Sequence, residues 1–441
     1  MSILDRLRSL QNKAEETAQG EPPEVPAETE QVPVEETEPL SEEEAMRPES
    51  LISDLVEYCL MLGASDLFLT STQDDVSISL RHLGVMRHVA RMPLEVGTRC
   101  LAFVHTASGM RYGVKKHPQD GRWILHDLKG MSVDMRVSTI PTLFGESLAL
   151  RLIRRDSELG KLNRLGLLQS QLASMQGLLM SPSGLILITG PTGSGKTTTT
   201  YACLHALNDG RRKIHTLEDP VEYSVPGLVQ TQIELDRGAG FAEMLRAILR
   251  QGPDVIMIGE IRDPETAETA VQAANSGQLV LATMHAPTSS AAIHAMLGLG
   301  ISPYMLCSSL LGTVGQRLVR VLNPETRIAV DLSMAPHTFD EVREFLEPGE
   351  GETVYSTPGA SAKNEAYWYR GQTAVFEILL TSPKIRQLIR DMQPASTLAQ
   401  AAIDEGMIDL RRATLLKIAK GITSFDEMQS EIPSGTMWVD S

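Results

Sequence analysis

Gly190-Pro-Thr-Gly-Ser-Gly-Lys-Thr197 satisfies the pattern GxxxxGK[ST], and its residue types are those of a phosphate cradle. Gly190, Gly193 and Gly195 let backbone N–H groups turn toward phosphate oxygens, with Pro191, Thr192 and Ser194 completing the loop. Lys196 reaches the β- and γ-phosphates, Thr197 offers its hydroxyl to Mg²⁺, and Thr198 follows in the same turn. The expected ligands are ATP and Mg²⁺, bound over residues 190–198.

Carboxylates supply the rest of the chemistry. Val255-Ile-Met-Ile-Gly-Glu260 is an apolar strand ending in an acid, the form of a Walker B element, in which Glu260 would orient or deprotonate the attacking water. The usual metal-binding aspartate position is Gly259. A second acidic group, Glu218-Asp-Pro-Val-Glu222, follows another apolar strand at the same edge of the sheet, so Glu218 and Glu222 are expected to contact Mg²⁺ through water. Asp254 precedes its strand and is assigned a structural role.

These residues need a scaffold with strand ends aligned. Short apolar runs, 184–189, 213–217, 255–258 and 278–283, alternate with helix-length segments, the mark of βαβ units and a parallel sheet. A helix is expected from Lys196 to about Asn208, so the phosphate loop stands between strand and helix. The fold class is α/β: a RecA-like P-loop NTPase core with a smaller α/β N-terminal domain and a helical C-terminal extension. The boundaries are 1–50, 51–158, 159–323 and 324–441. Within the second, Leu51, Leu55, Tyr58, Cys59 and Leu62 mark a helix, and Val76–Leu80 and Ser132–Val137 alternate as strands.

Of the 441 residues, the first 50 carry 14 Asp or Glu against 4 Lys or Arg, hence -10 of the -16 total, together with six prolines. Such a segment cannot build a core and is expected to be disordered. Ile3, Leu4, Leu7 and Leu10 share one helical face within it, either a frayed helix or a docking peptide. The acidic balance argues against nucleic acid as a partner. Four dispersed cysteines indicate neither disulfides nor a cysteine zinc site, and suit a reducing cytoplasm. No apolar run approaches the roughly 20 residues that span a bilayer, and the N-terminus lacks the apolar core of a secretory signal.

The combination resembles the secretion and pilus motor ATPases, over about residues 60 to 430. Leu217-Glu-Asp-Pro-Val-Glu222 is similar to that family's Asp box, Leu249–Asp254 through Gly259-Glu-Ile-Arg-Asp263 to its Walker B region, and Ala274–His285 to its His box. Pro118–Arg122, Val133–Pro141 and Gly145–Arg151 look like the N-terminal domain of the assembly and secretion branch; the retraction branch fits this stretch less well. Gln316-Arg-Leu318 and Gly406–Thr423 resemble its C-terminal helices. The resemblance implies a nucleotide-sensing His285, and arginines Arg136 and Arg151 that reach a phosphate of their own or of a neighbouring subunit, although an arginine on a strand is more often a surface charge. It also implies a hexameric ring at the cytoplasmic face of the inner membrane, working on platform or secretion-machine components.

Four departures stand out. Gln278 replaces the first His-box histidine, Ala286-Pro287 replaces Thr-Asn, and Ser65-Asp-Leu-Phe68 replaces Ser-Asp-Ile-His. Residues 319–370 lack the family's two CxxC pairs, so no zinc is expected. A nucleotide-binding regulatory or assembly protein with weak or no turnover is the alternative reading.

Overall fold

The computed structural model describes residues 47–111, 113, 117–128, 131–153, 160–233, 240–332, 337–359 and 367–432. Residues 1–46 of the acidic segment, its amphipathic start included, lie outside these, whereas residues 48–50, expected to be disordered, open the first helix. The chain divides into two compact units, Met1–Arg155 and Asp156–Ser441.

The first unit is a six-stranded antiparallel sheet under two helices, α1 (Pro48–Leu62) and α2 (Leu94–Ala107). Its strands are β1 (Ala64–Ser71), β2 (Asp75–His82), β3 (Val85–Pro93), β4 (Gln119–Leu128), β5 (Met131–Thr142) and β6 (Gly145–Ile153), in spatial order β3-β2-β1-β6-β5-β4. Proline at the first turn starts α1 and a left-handed Gly63 ends it. Leu51, Ile52, Leu55, Val56 and Cys59 give α1 one buried face. That face packs on the alternate strand residues Val76, Ile78 and Leu80 and Leu148, Leu150 and Leu152. The opposite sheet face is left for polar side chains.

The second unit is built on β7 (Gly184–Thr189), β8 (Ile214–Glu218), β9 (Leu228–Gln232), β10 (Val255–Ile258), β11 (Leu279–Met284), β12 (Leu310–Leu322) and β15 (Tyr369–Leu380), ordered β15-β12-β7-β11-β10-β8-β9. A small hairpin of β13 (Ile328–Val330) and β14 (Val354–Ser356) stands apart. Every pair in the large sheet is parallel except β12 with β15. Strands β7, β8, β10 and β11 are buried at every residue, as a sheet covered on both faces requires. Leu185 and Leu187 face one apolar cluster, Ile186 and Ile188 the other. The first is closed by α5 (Phe241–Leu249), α6 (Pro264–Asn275), α7 (Ser289–Gly298), α8 (Pro303–Ser309), α9 (Pro383–Arg390) and α10 (Ala395–Asp404). The second is closed by α3 (Gln169–Leu179) and α4 (Lys196–Leu207).

β15, which the closing helices follow, pairs along β12 from Leu380 opposite Gly312 to Tyr369 opposite Leu322 and so joins the large sheet. One expectation is corrected here. Gln316-Arg-Leu318, expected on a helix, lies in β12. The following α11 (Leu410–Ala419) and α12 (Phe425–Glu431) pack with Phe339, Val342 and Val354 in a further apolar cluster, so burial of side chains holds these three residues to the helices.

Candidate functional site

Because β7, β11, β10 and β8 run parallel and adjacent, their C-terminal ends share one edge. The segments that follow them stand there in spatial order: the phosphate loop, His285, Glu260 and the acidic loop of Glu222. A sheet edge of this kind is where open α/β folds bind ligands.

The phosphate loop is held from β12. Gln316 donates from Nε2 to the Ser194 carbonyl at 2.7 Å and accepts from Thr199 Oγ1 at 2.8 Å. Closeness makes glycine necessary: a Cβ at Gly190 would fall 2.5 Å from the Gln316 carbonyl oxygen, and one at Gly195 2.8 Å from its Nε2, with φ of 155° and 87° at the two glycines. Lys196 Nζ donates to the carbonyls of Gly190 at 2.8 Å and Pro191 at 3.0 Å. Burial lowers its pKa, which the charge of Glu260 opposes and that of Arg317 assists. Ser194 Oγ is buried with no hydrogen-bond partner among the described residues. Pro191, Thr192, Gly193 and Thr197 are exposed, and Thr197 and Thr198 stand in the first turn of α4.

Glu260 sits between two bases, its Oε1 3.2 Å from His285 Nε2 and its Oε2 accepting from Arg262 Nη2 at 2.6 Å. Burial pushes its carboxyl up, but the Arg262 hydrogen bond and charge, with His285 and Lys196, hold it below the usual value. Arg262 was not a candidate by type, although it lies inside the Gly259–Asp263 match. Gly259 explains its own identity: its N–H donates to the Leu217 carbonyl at 2.7 Å, and a Cβ would stand 3.0 Å from that oxygen.

The two acids expected near Mg²⁺ part company. Glu222 is half-buried in the loop after β8. Glu218 is buried and its oxygens are engaged: Oε2 accepts from Tyr201 Oη at 2.5 Å, and Oε1 from Thr216 Oγ1 at 2.6 Å and Gln230 Nε2 at 3.3 Å. It ties α4 to β8 and β9 and does not offer a free carboxylate to a metal. Asp254, at the other end of β10, accepts from the Lys213 N–H at 2.7 Å.

Position 278 also changes meaning. Gln278 precedes β11 and His285 follows it, so the strand's length, about 20 Å at ~3.3 Å per residue, separates them. A second imidazole there would not meet the first within one chain. The segment after His285 is held by others: the Thr189 hydroxyl accepts from the Ala286 N–H and donates to the Ala286 carbonyl, both at 2.9 Å, and Arg317 Nη2 donates to the Pro287 carbonyl at 2.6 Å.

Arg136 and Arg151 belong to the first unit, on the face away from α1 and α2. Direct cross-strand pairing places Asp66, Arg151, Arg136 and Arg122 in one row. Arg151 Nε donates to Asp66 Oδ1 at 3.0 Å, and Arg122 grips Asp134 with two bonds of 2.9 and 2.5 Å. The side chains of Arg151 and Arg122 remain 64% and 60% exposed. Among the described residues, no helix is long and apolar enough to cross a membrane, and no group of three His, Cys, Asp or Glu could hold a metal.

A family model described as type II/IV secretion system protein matches residues 41–430. The type II secretion system protein E of Pseudomonas aeruginosa is 38% identical over 404 residues, covering 90% of this chain and 78% of that protein. The type II secretion system ATPase E of Vibrio cholerae is 37% identical over 381 residues, covering 86% and 74%. The type IV pilus assembly ATPase PilB of Thermus thermophilus is 33% identical over 380 residues, covering 86% of this chain and 42% of that one. Among solved structures, the Legionella pneumophila ATPase DotB superposes with a TM-score of 0.63 at 20% identity, covering 86% of this chain and 94% of that one. The pilus retraction motor PilT with bound ADP gives 0.60 at 24%, covering 88% and 98%. These two likenesses establish the fold, a RecA-like P-loop core with a smaller α/β unit before it.

Proposed function

The chain belongs to the type II/IV secretion system protein family, and from that premise we propose that it is an ATPase motor for type II protein secretion or type IV pilus assembly. One observation carries the chemistry: Glu260, with its carboxyl held below the usual value, touches His285 at 3.2 Å on the edge it shares with the phosphate loop. In this reading Glu260 takes the proton of the attacking water, and His285 reports on the γ-phosphate by its contact with Glu260. Lys196 exchanges the Gly190 and Pro191 carbonyls for phosphate oxygens.

Mg²⁺ fits the loop's donor set: an exposed Thr197 hydroxyl at the head of α4, the partnerless Ser194 hydroxyl beside it, and Glu222 across the edge. Bound there, Mg²⁺ would supply neutralisation of phosphate charge. Thr197 would hold it directly and Glu222 through water.

The proposed working form is a homo-oligomeric ring, a hexamer, at the cytoplasmic face of the inner membrane, engaging platform or secretion-machine components. Support comes from the arginine row, which stands on the first unit with the Arg151 and Arg122 side chains open to solvent and Arg136 half-buried between them. A regulatory protein without turnover is not favoured, since the sequence carries Lys196, Thr197, Glu222 and Glu260. The test is steady-state hydrolysis by the purified full chain: Mg-dependent phosphate release is expected, and nucleotide binding without release would reverse the choice.

A further inference from the structure

Glu377 of β15 lies directly opposite Gly315 of β12 and is only 4% exposed. A carboxylate buried so deeply needs donors. It finds two backbone N–H groups far apart in sequence: Ser289 donates to Oε1 at 2.6 Å and Leu410 to Oε2 at 3.3 Å. Burial holds the carboxyl above its usual value, which the Ser289 N–H and side chain and then the Leu410 N–H only partly offset. Ser289 opens α7 just after the His285 loop, and Leu410 opens α11 in the C-terminal region.

Space for the crossing is provided by glycine, since a Cβ at Gly315 would stand 2.7 Å from Cγ and Oε1 of Glu377. The next two residues of β12 reach the nucleotide edge. Gln316 holds the phosphate loop at Ser194, while Arg317 holds Pro287 and is attracted to Glu377.

We infer that Glu377 is a positioning residue: it clamps the loop that carries His285 to the start of α11, so that movement at the γ-phosphate is passed to the C-terminal helices. The transmission rests on the reading of His285 given above; the clamp does not.

Hydrogen exchange on the full chain tests the clamp. Glu377→Gln would leave one acceptor oxygen, so exchange is read in Glu377→Leu, which keeps roughly the volume and removes both acceptors, and Glu377→Gln is kept for the kinetics. Exchange in the first turns of α7 and α11 is expected to quicken together by about tenfold, the equivalent of one lost hydrogen bond, with β7 unchanged. Quickening on one side only, or on neither, overturns the clamp. Gly315→Ala is the second variant, for use if the first does not fold. It pushes the carboxylate aside and must loosen the same two turns; unchanged exchange there counts equally against the clamp. ATPase kinetics test transmission separately. In Glu377→Gln, kcat is expected to fall about tenfold with KM for ATP within about twofold, and no further fall is expected on adding His285→Ala. Losses that multiply, or a KM that rises in place of the fall in kcat, overturn the positioning role. A His285→Ala chain with normal kcat overturns transmission through His285, while paired loosening still decides the clamp.

Discussion

The nucleotide edge of the second unit and the arginine row of the first are both suited to phosphate, yet they are held in different ways. At the edge, the donors are backbone N–H groups and one lysine in a glycine loop, fixed by Gln316 against β12 so closely that a Cβ at Gly190 or Gly195 has no room. In the row, the donors are guanidinium groups on flexible stems, steadied by Asp66 and Asp134 and largely exposed. Only the Arg151 end of its pair with Asp66 is exposed; the buried Asp66 also has Arg81 at 3.6 Å and the Ser65 hydroxyl at 2.8 Å, which remain with it when Arg151 turns to a phosphate.

That contrast can be broken experimentally. Lys196→Ala is expected to abolish turnover and weaken nucleotide binding, because the lysine meets phosphate charge throughout the cycle; measurable turnover with normal affinity would remove the loop from the chemistry. Glu260→Gln is expected to lower kcat by roughly 10²–10⁴ while ATP stays bound, since only the attacking water loses its base. Filter binding of ATP beside phosphate release checks it, and loss of binding would count against the role.

For the row, Arg136→Ala is expected to lower kcat by at least about tenfold with little change in ATP affinity, as removal of a transition-state contact should. Mixing it with Lys196→Ala should restore part of the activity if the arginine acts on a neighbouring subunit. Verified subunit exchange without rescue sinks that idea, provided rings of Lys196→Ala and unmodified chains show that a minority of dead sites is tolerated.

Arg262→Gln probes the electrostatics of the edge. Arg262 lowers the Glu260 carboxyl, so activity in the unmodified chain should be lost only as pH falls through that lowered value. Without Arg262 the carboxyl rises, and the acidic limb of the kcat profile should move to higher pH, by about one unit or less. A limb that stays or moves down would show that Glu260 is not the base. Asp66→Asn should have the smallest effect on activity, with kcat within about threefold, while stability falls by about 1–3 kcal/mol because the carboxylate is buried among its donors. A large loss of activity would mean that the row is as rigidly built as the phosphate loop, and the comparison would fail.

The sequence by itself determined whatever is contiguous. The phosphate loop is a strand, a turn and a helix start within a short run, so its chemistry and its geometry are the same eight residues. Glu260, Glu222 and His285 could be placed because each follows an apolar run, and parallel strands bring such ends to one edge. What the tertiary structure decided is how distant segments face each other. Glu218 looked like a strand-end acid, and only the packing of Tyr201, Thr216 and Gln230 around it shows its oxygens already engaged. Gln278 shares a motif with His285 but lies at the far end of β11. The three arginines form a row only through the registers of β4, β5 and β6. Gln316, Arg317 and Glu377 gain their roles from the pairing of β12 with β7 and β15, whose partners lie far away in the chain. Registers of that kind are set by the burial of whole faces, to which no local run of residues testifies.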